Sequence, residues 1–223
     1  MMRLEVLVEG ASDVPAVKEV LQRKFQWVED EHFRIHAHRG KGRLPANPLS
    51  KPNPIHQGLL DQLPAKLKGF GKSQPNGIVL VVIDVDDTPV ESLIFDLQEM
   101  LDVLPHKPHV VICLAIEETE SWFIADLPAL ERAFKKRLKK RLLRDIKPDS
   151  IVGAWEKLAC ALGVKPADVT GMMKYEWATC IAPHLNLDNP QSPSFAKFIG
   201  TIGQLPELIA FQLIGKEFGA KAR

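Results

Sequence analysis

Cysteine is scarce in this chain. Cys113, Cys160 and Cys180 are spread through 223 residues. An odd, widely spaced set builds neither a disulfide framework nor a CxxC metal knuckle. Tyrosine is scarcer still, with Tyr175 the one phenolic side chain. No apolar run approaches the roughly 18 residues of a membrane span. The longest runs, near 78–85 and 110–116, suit buried strands. An excess of one charge sign is also missing, since the formal net charge is +1. The N-terminus enters a strand-like pattern directly, without the architecture of a signal peptide. These absences predict a cytoplasmic protein with buried thiols and no membrane association.

What is present is an ordinary globular composition, 45% hydrophobic and 26% charged, enough for one large domain or two small ones. The charge is unevenly placed. "KKRLKKRLLRDIK" (135–147) holds eight basic residues against Asp145, a local +7, so the rest of the chain carries −6. One basic element sits on an otherwise acidic body.

"RLEVLVEG" reads as a strand, and "SDVPAVKEVLQRKF" as a helix capped by Ser12 or Asp13. "FRIHAHR" is a short strand candidate, followed by a Pro-, Gly- and Lys-rich loop over 39–57. "GLLDQLPAKLKGF" looks helical despite Pro64. "IVLVVIDVDD" is an almost continuous apolar run, the mark of a central parallel strand. "TPVESLIFDLQEML" opens like a capping box, with Thr88 as cap, Pro89 first and Glu91 third. "HVVICLAIEE" is another buried strand, and "SWFIADLPALERAFKKRLKKRLL" reads as mostly helical. Alternation of this kind predicts an α/β fold with a mostly parallel sheet flanked by helices. From about 148 onward only helical segments are legible. The expected organisation is a core over 1–147 and a helical C-terminal extension over 148–223 packed on it.

Three core strands end on acids: Glu9, then Asp84 and Asp86, then Glu117, Glu118 and Glu120. Ligands of open α/β sheets bind beyond the carboxyl ends of the strands. Residues two apart on a strand share a face, so Asp84 and Asp86 are expected to aim together while Asp87 points away or enters the turn. Clustered carboxylates repel and call for a cation. Hard oxygen donors suit Mg²⁺ or Mn²⁺, which can polarise a phosphodiester and activate water. The basic run, through Lys135, Lys136, Arg137, Lys139, Lys140 and Arg141, supplies positive charge for a polyanion, and Arg39, Lys41 and Arg43 in "HRGKGRL" could bind phosphate. Each piece also has a bland reading: acids at strand ends are common turn chemistry, and a basic helix with Phe134, Leu138 and Leu142 on one side can be a solvated face.

"VLVEGASD" before a helix, with "VVIDVDD" closing a later strand, resembles the Toprim domain shared by topoisomerases, bacterial primases, small ribonucleases and overcoming-lysogenization-defect nucleases. "GKGRLP", "LLDQLPAKLKGFG", "EETESWFIAD", "KYEWATCIAPHL" and "SPSFAKF" resemble an uncharacterised bacterial family, the domain of unknown function 4276. The Toprim resemblance implies that Glu9 is a metal ligand or general base and that Asp84 and Asp86 bind metal. It implies that Glu120, with Glu117 as the alternative, is a further metal-binding and catalytic acid, and that Lys174 stabilises phosphate charge. It implies a Mg²⁺- or Mn²⁺-dependent nuclease acting on DNA or RNA, in a defence system beside a partner ATPase.

Other readings compete. A topoisomerase needs a tyrosine on a mobile domain, and Tyr175 sits in a helical segment. "VVIDVDDT" also satisfies the motif of haloacid dehalogenase-like phosphatases, with Asp84 as nucleophile, but no Thr or Ser ends the next strand. "GFGKS" (69–73) fails as a P-loop because Lys66 stands where a glycine is required. His36 and His38 with His56 are weighed as a zinc site, and exposed or hydrogen-bonded histidines are the preferred reading. A nucleic-acid-binding or regulatory subunit without chemistry is the non-enzyme alternative.

Overall fold

The computed structural model describes residues 3–86, 88–150 and 153–220, apart from the side chains of Lys136 and 213–220. Strand β1 (Leu4–Val8) leads through a 3-10 turn (Ala11–Asp13) into α1 (Val14–Phe25). Then come β2 (Phe33–Ala37), α2 (Leu59–Ser73), β3 (Ile78–Asp84), α3 (Val90–Val103) and β4 (His109–Ala115). Among the described residues the regular elements after β4 are helices, including α4 (Glu120–Ala125), α5 (Leu127–Phe134), α6 (Ala154–Ala161), α7 (Gly171–Ile181), α8 (Pro193–Ile202) and α9 (Leu205–Ala220). Among the described residues no helix is long and apolar enough to cross a membrane.

The four strands form an all-parallel sheet in the order β2-β1-β3-β4. The chain moves outward from β1 to β2, then passes back over β1 to β3 and on to β4. Right-handed crossovers taken in opposite directions put their helices on opposite faces. Accordingly Leu4, Val6 and Val8 of β1 and Ile78, Leu80 and Val82 of β3 pack with α1 and the C-terminal helices. Leu7, Val79, Val81 and Ile83 pack with α2 and α3. The C-terminal helices contribute Leu158, Ala178, Phe195 and Phe198 to the first of these cores, so residues beyond 148 share the core of the sheet. The point where strand order reverses lies between β1 and β3, and in open α/β sheets ligands bind at such a point, beyond the carboxyl ends of the strands.

Several local expectations need correction. Asp13 stands at the N-cap position of α1 as expected, but its side chain makes no capping bond to that helix. Thr88 does not cap α3; Pro89 occupies the cap position, and the Thr88 hydroxyl accepts from Lys41 Nζ at 3.3 Å. The basic run is not a continuous helix. The helix stops at Phe134, and short 3-10 turns follow at Lys135–Arg137 and Lys140–Leu142. The core takes Leu138 and Leu143, five residues apart, while Leu142 is 44% exposed. No helical face has that spacing. "GFGKS" forms the last turns of α2, which is no place for a phosphate-cradling loop.

Candidate metal and phosphate site

Glu9 follows β1 directly, and its carboxylate accepts the Asp84 backbone N–H at 2.9 Å, bridging the switch point between β1 and β3. Glu9 is 8% exposed. Burial, with repulsion from Asp13 and Asp86, pushes its pKa up to about 8. Asp84 closes β3 on the side of Ile78, Leu80 and Val82, facing α1 and the C-terminal helices. It keeps some solvent contact, yet burial and repulsion from Asp13, Glu9 and Glu120 hold it well above the usual carboxylate range.

Asp13 is the functional candidate that sequence reasoning missed. Set in the 3-10 turn before α1, it accepts from the Gly10 N–H at 2.8 Å and from the Thr119 hydroxyl at 2.9 Å. Burial and then the charge of Glu120 raise it to about 6. The available signal was its place four residues after Glu9 on the same strand-to-helix turn, which brings both acids to one edge. An aspartate just before a helix reads as a cap, and that local explanation hid it.

Glu120 opens α4, is buried, and pairs with Lys174 Nζ of α7 at 3.3 Å. Of the two acids weighed for this position, Glu120 is the one that faces the cluster. Glu117 adopts a left-handed φ of 65° and turns its carboxylate to the N–H groups of Gly153 and Ala154 at the start of α6. Glu118 accepts from the Trp155 N–H at 3.3 Å, and burial with repulsion from Glu120 takes it to about 8. Glu9, Asp13, Asp84 and Glu120 therefore gather at the carboxyl edge of the sheet, with Lys174 beside Glu120.

Asp86 departs from this group. The strand ends at Asp84, and Asp86 has a φ of 50°, so the rule that residues two apart share a face lapses. Its carboxylate meets Lys41 Nζ at 3.2 Å, and the same ammonium donates to the Val85 carbonyl at 2.6 Å. Asp84 and Asp86 thus do not aim together, although Asp86 stays near enough to act on Glu9. Asp87 lies outside the described residues. Lys41 is drawn into the β3–α3 turn, whereas Arg39 and Arg43 are exposed on the loop before α2. Lys135, Arg137, Lys139, Lys140 and Arg141 are exposed as well, with the Lys136 side chain outside the described set. The Lys139 N–H donates to Ala161 at the far end of α6, while Glu117 and Glu118 hold its near end. Eight helical residues span ~12 Å, so the basic segment stands one short helix away from the carboxylates.

Carboxylates of this kind suit a hard divalent cation in donor type and charge. Burial, and then their own like-charge repulsion, raises Glu9, Asp13 and Asp84. Among the described residues no group of three His, Cys, Asp or Glu side chains is arranged to hold a metal by itself. Mg²⁺ commonly takes one or two carboxylates and completes its shell with water and substrate phosphate, so it needs no three-carboxylate group from the protein. His36 is bound to Glu5 at 2.6 Å and His38 to the Val8 carbonyl at 2.8 Å, so each has a partner within the fold.

A family profile described as a domain of unknown function, DUF4276, matches residues 8–203. The chain belongs to the DUF4276 family. The match runs from the end of β1 to the end of α8, so it takes in every carboxylate of the cluster and Lys174. No curated protein and no solved structure matches this DUF4276 chain.

Proposed function

We propose that this cluster is a Mg²⁺- or Mn²⁺-dependent site that cleaves phosphodiester bonds in DNA or RNA, carried on a Toprim-like core. The observation behind the proposal is the meeting of Glu9, Asp13, Asp84 and Glu120, drawn from separate elements, at the switch point of a parallel sheet beside Lys174. Glu9 and Asp84 would supply the carboxylate ligands, with water and substrate phosphate completing the shell, and Asp13 and Glu120 would add negative charge around it. The ion would neutralise phosphate charge and lower the pKa of a bound water. Lys174 would exchange its Glu120 partner for a phosphate oxygen. The exposed basic segment beyond α6 would attract the polymer. A partner ATPase and a defence role belong to the same proposal by analogy with Toprim nucleases.

A second reading, a nucleic-acid-binding or regulatory subunit without chemistry, draws on two observations: Asp86 is neutralised by Lys41, and the carboxylates form no three-ligand group among the described residues. The phosphatase reading needs an acid two residues after Asp84, and Asp86 turns away. Supercoiled plasmid and single-stranded RNA, incubated with Mn²⁺, Mg²⁺ or EDTA beside Asp84→Ala, test the proposal. Metal-dependent cleavage lost in the variant supports it. Absence of cleavage, together with no rise in melting temperature on adding Mn²⁺, favours the non-catalytic subunit.

A further inference from the structure

Three of the four tryptophans belong to the core: Trp122 and Trp177 lie within it and Trp27 packs against it. Trp155 is different. It is half-buried and, among the described residues, has no place in either apolar core. An indole kept off the core gives up burial that would stabilise the fold. Its location is specific. Its backbone N–H is held by Glu118 at 3.3 Å, and Lys174 Nζ lies 4.7 Å from its ring centroid and 3.3 Å from Glu120. The ammonium therefore lies over the face of the ring, and a base can stack on that face once Lys174 swings from Glu120 to a phosphate.

Resting on the phosphodiester reading, we propose that Trp155 is a stacking platform for the base of a nucleotide whose phosphate is taken by Lys174, so that the site selects single-stranded nucleic acid. A base inside a duplex has both faces covered by its neighbours, whereas an unpaired base can leave the stack and lie on an aromatic ring. The covalent connection between base and phosphate matches the adjacency of indole and ammonium. Trp155 acts through binding and orientation, with no bond made or broken at the ring.

The test is fluorescence anisotropy with a labelled 12-nucleotide single strand and with the blunt duplex of the same sequence, in Ca²⁺ in place of Mg²⁺. Wild type, Trp155→Ala and Trp155→Phe are compared after circular dichroism confirms that each is folded. Stacking on one aromatic side chain corresponds to about a five- to hundredfold change in affinity. The expected result is a preference of wild type for the single strand, a loss of that size in Trp155→Ala confined to the single strand, and retention of most affinity in Trp155→Phe. Unchanged single-strand affinity in Trp155→Ala, or equal losses on both polymers, overturns the platform while leaving the site reading standing. A wild type that binds neither polymer overturns both.

Discussion

Glu9→Gln should make the metal-free protein more stable at neutral pH, although it removes a residue of the proposed site. In the folded state Glu9 titrates at about 8, against an ordinary value of 4.5. A carboxyl group raised on folding holds its proton more tightly in the native state. Its contribution is therefore complete below pH 4.5 and is lost as pH rises towards 8. Between 4.5 and pH 7 the interval is about 2.5 units, and at ~1.36 kcal/mol per unit the upper bound is ~3 kcal/mol. Asp13 and Asp84 draw on the same repulsion, so Glu9's separate share is smaller, on the order of 1–3 kcal/mol. Glutamine keeps an oxygen to accept the Asp84 N–H and removes the charge. In a chain of this length ~1 kcal/mol moves Tm by about 2–4 °C, so a rise on the order of 5 °C is expected at pH 7 in EDTA. Near pH 5 the gain should shrink to under about 1 kcal/mol, because native Glu9 is already protonated there. Thermal denaturation followed by circular dichroism from pH 5 to pH 8 measures both. A variant that melts lower than wild type at pH 7 in EDTA, or a gain independent of pH, would refute the electrostatic account.

Mn²⁺ should raise the melting temperature of wild type and leave Asp84→Asn almost unmoved; at a hundredfold excess over Kd the gain is ~2.7 kcal/mol, read by scanning fluorimetry. Lys41→Ala removes the bonds to Val85, Asp86 and Thr88. It should cost about 1–2 kcal/mol in denaturant titrations and speed proteolysis in the loop before α2. Phe198→Ala opens a cavity in the core shared by sheet and C-terminal helices. A loss of ~3–5 kcal/mol in one cooperative transition is expected, and a separate early transition of the C-terminal helices would count against a common core. Replacing Lys139, Lys140 and Arg141 together by glutamine should weaken binding to any nucleic acid and reduce the salt slope by up to ~3 charges, without altering sequence preference.

The parallel sheet was legible because burial on both faces leaves a direct trace in composition. "IVLVVID" has almost no polar residue, and the structure shelters both of its sides. Glu9 and Asp84 were legible for a related reason, since a carboxylate closing such a run must leave the sheet at its carboxyl edge. Local rules failed where distant contacts decide. Asp13 reads as a cap and holds that position, yet beside the local Gly10 N–H its carboxylate takes Thr119, 106 residues away in sequence. Asp86 reads as the second member of a strand pair, yet Lys41, 45 residues earlier, holds the turn that ends the strand. The run from Lys135 to Lys147 is made of good helix formers, and propensity alone favours one helix. The core instead takes Leu138 and Leu143, and burial of those two side chains outweighs a few tenths of a kcal/mol per residue of propensity. The common cause bears on the site itself. A strand-end acid can be assigned from its own strand, but whether it faces the cluster or a lysine depends on the loop that comes back over it. That is why Glu120 rather than Glu117 meets the cluster: the start of α6 arrives to take Glu117 and leaves Glu120 to Lys174.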